Sequence, residues 1–163
     1  MGRVTVRRPR RGPLVAAIAI PVLFAAFGTV LIGGSLGGWY GALDKPWFLV
    51  PLWAFYIVGF AYYVLFATVL YRILVHVEDR AGRRTALALT IGVMLLNELW
   101  NYAFFGLEST LAGFLGVVVF LVPLTALVST LRKHERFSAL LVAAYWVWVL
   151  YDVVWTYALW RLN

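Results

Sequence analysis

The chain has 163 residues, of which 64% are hydrophobic and 13% are charged, and its mean hydropathy is +0.88. A water-soluble domain is about half apolar and about a quarter charged, so this composition excludes an ordinary soluble domain. The chain has no cysteine, which excludes disulfides, thiol catalysis and thiolate metal sites. Its net charge of +7 comes from basic residues beside apolar runs, so we expect no nucleic-acid partner.

Five apolar runs follow one another, and each is long enough to cross a membrane as a helix. A hydrocarbon core about 30 Å thick requires about 20 helical residues. Membrane strands would need only about ten residues and would alternate in polarity, which these runs do not. The sequence therefore predicts an all-α membrane protein, a five-transmembrane-helix bundle that forms one domain over 13–163. The predicted helices cover about 13–36, 51–71, 85–107, 110–131 and 138–160.

The first run follows a basic tail at residues 1–12, which is the arrangement of a secretory signal peptide. The run is longer than the apolar region of a signal peptide. It ends in a glycine-rich stretch at 33–38 without a convincing small-residue cleavage site. We therefore interpret this run as a retained membrane helix.

The basic residues indicate how the bundle is oriented. Twelve of the fourteen Lys and Arg lie in the N-terminal tail, after the second helix or before the fifth, and the exceptions are Lys45 and Arg161. Since basic loops stay on the cytoplasmic side, the pattern predicts a cytoplasmic N-terminus and an external C-terminus. The Arg-rich tail and the lack of a targeting peptide favour a prokaryotic cytoplasmic membrane.

The third helix carries a face that is both polar and aromatic. Asn97, Trp100, Asn101 and Phe104 follow the i, i+3, i+4, i+7 spacing of one helical face, and Glu98 lies beside it. Amide groups beside flat rings suit a flat, partly polar ligand. The alternative is that the Asn side chains form hydrogen bonds between helices, as they often do in membrane bundles.

The fifth helix repeats this pattern with Tyr145, Trp148, Asp152 and Trp155 on one face. An ionised carboxylate near mid-helix is costly unless it is paired or faces water. Asp152 is therefore protonated, ties two helices together through Asn97 or Asn101, or lines a wet cavity where it contacts a ligand.

The second helix is rich in aromatic residues, which lie on too many sides to line one pocket. We expect most of them to pack inside the bundle or to face lipid. They are Trp53, Phe55, Tyr56, Phe60, Tyr62, Tyr63 and Phe66.

No set of residues in the sequence indicates catalysis. His76 and His134 lie in charged loops without a companion at metal-ligand spacing. A phosphate-binding glycine loop and a nucleophilic serine motif are also missing from the sequence. We therefore predict no catalytic residue, no metal site and no required cofactor.

Three segments together resemble the TspO/MBR family of tryptophan-rich sensory proteins and translocator proteins. The stretch 39–46 matches the family signature W-Y-x-x-L-x-K-P, and Pro51 and Phe55 continue the match. The stretch 97–105 is similar to the family's N-x-x-W-x-x-x-F-F, and 145–148 is similar to its Y-x-x-W. The resemblance covers about residues 14–163.

The resemblance implies a helical bundle with an aromatic cavity that opens towards the loop after the first helix. Family members bind porphyrins, haem-related tetrapyrroles and in some cases sterols or synthetic aromatic ligands, and they often form homodimers. Together with the faces described above, this gives a candidate ligand-binding set. The set comprises Trp39, Tyr40, Pro51, Asn97, Trp100, Phe104, Trp148 and Asp152.

Four positions depart from the family pattern. Gly59 stands where the family usually has a tryptophan that lines the cavity, and Asp152 stands where a small residue is typical. Ala144 replaces a usual proline, and Thr156 replaces a usual asparagine. The loss of a ring and the gain of a carboxyl group should reshape the pocket.

The leading hypothesis is a protein of the lipid bilayer that senses or carries a porphyrin, another tetrapyrrole or a similar flat amphipathic ligand. One alternative is light- or oxygen-dependent breakdown of a bound porphyrin, which the resemblance implies for some relatives. Another alternative is a structural or regulatory membrane protein with a degenerate pocket, for which Gly59 and Asp152 are the best arguments.

Overall fold

The computed structural model describes residues 11–163, which fold into helices joined by short connections. Most of the predicted basic tail therefore lies outside the described residues. The helices are α1 (Arg11–Ile32), α2 (Trp39–Ala42), α3 (Leu52–His76), α4 (Arg80–Asn101), α5 (Thr110–His134) and α6 (Arg136–Leu162), with a π-helical turn (Tyr102–Gly106) that continues α4.

Five of these helices are long and apolar enough to span a membrane, so the predicted five-helix membrane bundle is confirmed. The short helix α2 lies in the connection between the first two spans. The first span ends at Ile32, before the predicted end, because Gly33 adopts a left-handed φ of 53° that stops the helix. The helix α4 begins before its predicted start because the Asp79 side chain caps it by accepting from two backbone N–H groups.

The helices surround two buried clusters. The larger cluster is mostly aliphatic and joins α3, α4, α5 and α6 through residues such as Phe66, Leu70 and Leu127. The smaller one is aromatic and lies near α2 and the π-helical turn. Its buried members are Tyr40, Phe104, Phe105, Trp155 and Leu159.

Polar contacts tie the helices together at both ends of the bundle. At one end, Arg72 of α3 forms two hydrogen bonds to Glu135, with Nη2–Oε1 at 2.7 Å and Nε–Oε2 at 3.0 Å. Glu135 Oε2 also accepts from the backbone N–H of Ser138 and so caps α6. At the other end, the Asn163 side chain accepts from the backbone N–H of Asp44 at 3.0 Å and donates to its carbonyl at 3.1 Å.

Candidate functional site

A cavity of about 520 Å³ lies between the five spanning helices, α1, α3, α4, α5 and α6, next to Tyr40 of α2. Pockets of about 300–1,000 Å³ with mainly apolar walls are typical of small-molecule sites. Aromatic rings form most of this wall, and the polar side chains in it are few. The aromatic lining residues are Tyr40, Phe55, Tyr56, Phe60, Tyr62, Tyr63, Trp100, Phe105, Phe120, Tyr145, Trp148 and Trp155.

The rings on one wall hold each other in place by edge-to-face packing. Phe55 of α3 contacts Trp148 at 5.9 Å and Trp155 at 5.4 Å between ring centroids. Trp155 in turn contacts Trp100 of α4 at 6.3 Å. Such contacts stabilise the arrangement beyond simple burial, by about 0.5–1.5 kcal/mol each. The rings of this wall therefore fix one another's positions.

Trp100 is oriented by contacts with α5 and with the π-helical turn. Its Nε1 donates to the backbone carbonyl of Gly113 at 2.8 Å, and its ring stacks on Phe104 with an interplanar angle of 3°. Phe104 in turn lies so close to Gly113 that a Cβ atom there would clash with its ring. Glycine at this position therefore lets α5 approach and fix the indole on the cavity wall.

Asp152 provides the carboxyl group of the cavity wall. Asp152 is 9% exposed, and its Oδ1 accepts a hydrogen bond from Trp155 Nε1 at 2.7 Å. The bond comes from the same helix, so Asp152 does not tie two helices together through it. The carboxyl is held in place and stays in contact with the cavity.

A second acid, Glu98, is fully buried behind the wall. Its Oε1 accepts from the Tyr63 hydroxyl at 2.9 Å and from Asn97 Nδ2 at 3.3 Å, and its Oε2 accepts from Asn101 Nδ2 at 2.9 Å. The Tyr145 hydroxyl extends this network by donating to Asn97 Oδ1 at 3.3 Å. Asn97 and Asn101 thus line the cavity and also form hydrogen bonds within the bundle. The expected hydrogen bond between helices is thus present for Asn97, through Tyr145 of α6, whereas the bond from Asn101 stays within α4.

The loop after α2 lies next to the α2 end of the cavity and is fastened to α6. The hydroxyl of Tyr151 accepts from the backbone N–H of Val50 at 2.9 Å and donates to the carbonyl of Phe48 at 3.4 Å. Lys45 Nζ donates to the carbonyls of Tyr40, Gly41 and Leu43 and so closes the C-terminal end of α2. Burial raises the pKa of Tyr40 to about 12, with Tyr151 adding to the effect, so this phenol is neutral.

Five of the eight predicted site residues line the cavity together, namely Tyr40, Asn97, Trp100, Trp148 and Asp152. Pro51 lines a smaller pocket of about 270 Å³ that shares Tyr40 with the cavity and also contains Lys45. Trp39 lies outside the cavity wall and packs edge-on against Phe104 at 5.3 Å.

Phe104 does not line the cavity, and Phe105 does. The helical spacing places residue 104 on the face of Asn97 and Trp100, but the π-helical turn adds a residue to this turn of the helix. The backbone bond from Leu107 N–H to the Tyr102 carbonyl, 2.8 Å, shows the wider turn. It rotates the ring of residue 104 into the aromatic cluster and brings residue 105 to the wall.

The contribution of α3 to the site differs from expectation. Most of its aromatic residues were expected to pack or to face lipid, yet five of the seven line the cavity: Phe55, Tyr56, Phe60, Tyr62 and Tyr63. Gly59 lies among them, and nothing is within 4 Å of the point where a Cβ atom would stand. The missing ring at position 59 therefore leaves open space in the wall. The i, i+4, i+7 spacing of positions 55, 59 and 62 is the signal that could have indicated this face.

Comparisons with known proteins agree with this architecture. The sequence profile of the TspO/MBR family matches residues 17–161. The chain is 28% identical over 151 residues to the tryptophan-rich protein TspO of Archaeoglobus fulgidus, covering 92% of this chain and 96% of that protein. It is 27% identical over 129 residues to protein CrtK of Rhodobacter capsulatus, covering 79% and 81%. It is 26% identical over 110 residues to the tryptophan-rich sensory protein of Cereibacter sphaeroides, covering 68% and 67%. The chain therefore belongs to the TspO/MBR family.

Proposed function

We propose that this membrane protein binds a flat amphipathic ligand of the porphyrin or tetrapyrrole class in the cavity and acts as its sensor or carrier. The observation that carries the proposal is the cavity of about 520 Å³ between membrane-spanning helices, walled by aromatic rings. A flat ring system can stack on or lie edge-on to these side chains. The description of one relative as a sensory protein supports a sensing role.

The few polar groups of the wall would orient the ligand. Asn97 and Asn101 present amide groups from α4, and Asp152 presents its carboxyl group from α6. A small number of placed polar groups in an apolar pocket is the usual basis of ligand orientation. The aromatic wall then supplies most of the affinity, and the polar groups supply the selectivity.

We also propose that the basic end of the bundle is cytoplasmic, in a prokaryotic cytoplasmic membrane. Arg80, Arg132 and Arg136 lie at the ends of α4, α5 and α6 that share a side with the Arg72–Glu135 pair. The positive-inside rule places this side in the cytoplasm. The α2 end of the cavity then faces the external side.

The proposal is tested by titrating the detergent-purified protein with protoporphyrin IX and following tryptophan fluorescence. We expect saturable quenching in the dark. In Trp148→Phe the affinity should fall about two- to tenfold, the equivalent of the aromatic contact that is lost or weakened. The matched control is Trp47→Phe, because Trp47 is 95% exposed and lies outside the cavity wall.

Two outcomes would contradict the proposal: quenching that does not saturate, or equal affinities for the Trp148→Phe and unchanged proteins. The same samples are then illuminated. A new absorption spectrum that develops only with the protein would support the alternative of porphyrin breakdown.

A further inference from the structure

The described residues of the cavity wall include an acidic side chain and no basic one. Among the described residues that line it, Asp152 is the acidic one and none is Lys, Arg or His. Lys45 lies in the smaller neighbouring pocket, where three backbone carbonyls hold its Nζ at 2.9, 3.1 and 3.0 Å. A negatively charged group deep in the cavity would therefore meet a carboxyl group and no cation.

Asp152 has hydrogen-bond donors around it but no cationic partner within residues 11–163. The Trp155 indole that donates to Oδ1 is neutral, and the ion pair that the described residues form joins Arg72 to Glu135. A carboxylate at membrane depth is costly without a counter-charge. A cation that entered the cavity would supply this counter-charge and would be favoured over a neutral ligand of the same shape.

The second buried acid does not compete for this role. Both oxygens of Glu98 accept hydrogen bonds from Tyr63, Asn97 and Asn101, and the residue does not belong to the cavity wall. Glu98 thus has its partners inside the bundle. Glu98 is therefore a structural carboxyl group, whereas Asp152 faces the cavity.

Two further features of the wall suit a nitrogen cation. The Tyr62 side chain lines the cavity and is 3% exposed, and its hydroxyl has no hydrogen-bond partner among the described residues. Such a buried hydroxyl can accept a hydrogen bond from an N–H group. Aromatic faces such as those of Trp148 and Trp155 attract organic cations through their π-systems. The Asp152 carboxyl group, with the indole of Trp155 bonded to it, resembles the surroundings of a bound ammonium group, and the Tyr62 hydroxyl is a separate acceptor elsewhere on the wall.

We infer that the ligand of this cavity presents a protonated nitrogen, as an ammonium, amidinium or protonated ring nitrogen, to Asp152. The inference rests on the proposed function and specifies the chemistry of its ligand. A tetrapyrrole meets this requirement only in a form that is protonated on a ring nitrogen and that keeps its carboxylates away from Asp152. A ligand that buries a carboxylate against the ionised form of Asp152 is disfavoured by charge repulsion.

Three probes with the same flat three-ring shape and different charges test the inference. They are 9-aminoacridine, which is a cation at neutral pH, 9-methylanthracene, which is neutral, and anthracene-9-carboxylate, which is an anion. Their fluorescence anisotropy is measured with the protein in zwitterionic nanodiscs and with empty nanodiscs. A charge-assisted hydrogen bond contributes about 1.5–3 kcal/mol, so the cation should bind about tenfold or more tightly than the neutral probe. The anion should bind most weakly.

The substitution Asp152→Asn keeps the shape of the side chain and an oxygen that can accept from Trp155. It should abolish the preference for the cation, so that the cation and the neutral probe bind this variant with similar affinities. The matched control is Asp44→Asn, which removes one negative charge from the exposed loop outside the cavity and should keep the preference.

The outcomes separate the inference from the proposed function. If the neutral probe binds the unchanged protein as tightly as the cation does, the inference is wrong and binding in the cavity stands. The inference is also wrong if Asp44→Asn abolishes the preference as Asp152→Asn does. If none of the three probes binds, the inference is wrong, and the protoporphyrin IX titration decides the proposed function separately. If Asp152→Asn does not fold, the order of the three probe affinities in the unchanged protein still tests the inference.

Discussion

Helix α1 packs closely against the buried carboxyl group of Glu98 at Gly28. A Cβ atom at position 28 would clash with Glu98 Oε2 and would lie 3.0 Å from its Cδ and 3.3 Å from the Tyr63 hydroxyl. The carboxyl group cannot move away without breaking its hydrogen bonds to Tyr63, Asn97 and Asn101. A glycine is therefore required where α1 meets this network.

We predict that Gly28→Ala destabilises the protein by about 1–3 kcal/mol, the range for overpacking of a well-packed interior. Thermal unfolding in detergent, followed by circular dichroism, measures the change. The matched control is Gly92→Ala in α4, where nothing lies within 4 Å of the new Cβ atom. Since alanine favours a helix over glycine, this control should be neutral or slightly stabilising. Equal unfolding temperatures for the two variants would show that α1 does not need glycine at position 28.

At the residue scale, periodicity predicted the α4 and α6 walls of the cavity and missed the α3 wall. Asn97, Trp100 and Asp152 stand out because polar groups and large rings share one face of a mainly aliphatic helix. Aromatic residues surround α3, and the same ring can pack, face lipid or line a cavity without a change in sequence pattern. The free hydroxyl of Tyr62 and the bond from Tyr63 to Glu98 depend on contacts between helices that are distant in sequence.

At the scale of elements, the Arg72–Glu135 pair joins the end of α3 to the start of α6. The hydrogen bonds from Arg72 lower the pKa of Glu135 to about 2, below its ordinary value of 4.5. A carboxyl group whose pKa is lowered by folding stabilises the folded state fully above its ordinary pKa. This contribution is lost as the pH falls from about 4.5 to about 2.

We predict that Glu135→Gln lowers stability at neutral pH by about 1–2 kcal/mol, because it weakens both an ion pair and a helix cap. The difference from the unchanged protein should shrink as the pH is lowered through this window and should vanish near its acid end. Thermal unfolding at a series of pH values measures it. The control is Glu78→Gln, which removes an exposed acid at the same end of the bundle. A difference that stays constant with pH would contradict a role for the Glu135 charge.

Hydropathy and length predicted the five spans, because the bilayer sets the number of apolar residues that a helix needs. The two irregular elements were beyond such reasoning. The helix α2 has only four residues, and its end is closed by Lys45, whose ammonium group binds three carbonyls. The π-helical turn at Tyr102–Gly106 differs from an α-helix by one added residue, which leaves no mark in hydropathy. Hydropathy therefore did not show that Phe105, rather than Phe104, lies on the cavity wall.

At the scale of the whole molecule, the absence of cysteine makes orientation directly measurable. We predict that Trp47→Cys is labelled by a membrane-impermeant maleimide in intact cells, because Trp47 is 95% exposed on the predicted external side. Glu78→Cys, in the connection between α3 and α4, should be labelled only after the cells are made permeable. The cysteine-free chain is the control for background labelling. The reverse pattern would place the basic end outside and overturn the orientation.

The alternating direction of the five spans could be predicted from their order and from the charges that flank them. Short connections make successive spans antiparallel, and the contacts between Asp44 and Asn163 and between Arg72 and Glu135 agree with that alternation. The order of the spans along the chain does not show which helices enclose the cavity. In the fold, α1 packs on α3 and α4, and α5 packs on α4 and α6. That choice depends on close approaches such as those at Gly28 and Gly113.

The hydrogen bond from Trp155 Nε1 to Asp152 gives the cavity a built-in reporter. In a nitrogen-15-labelled sample, each of the eight tryptophans contributes one indole N–H resonance to a nearly empty region of the NMR spectrum. The proton of Trp155 points at the Asp152 oxygen, 2.7 Å from its nitrogen, so its chemical shift depends on the charge of that oxygen. The indole proton of Trp146, which donates to Thr125 and lies outside the cavity wall, provides an internal reference. Any compound library can therefore be screened against this single peak, without a dye and without knowledge of the natural ligand.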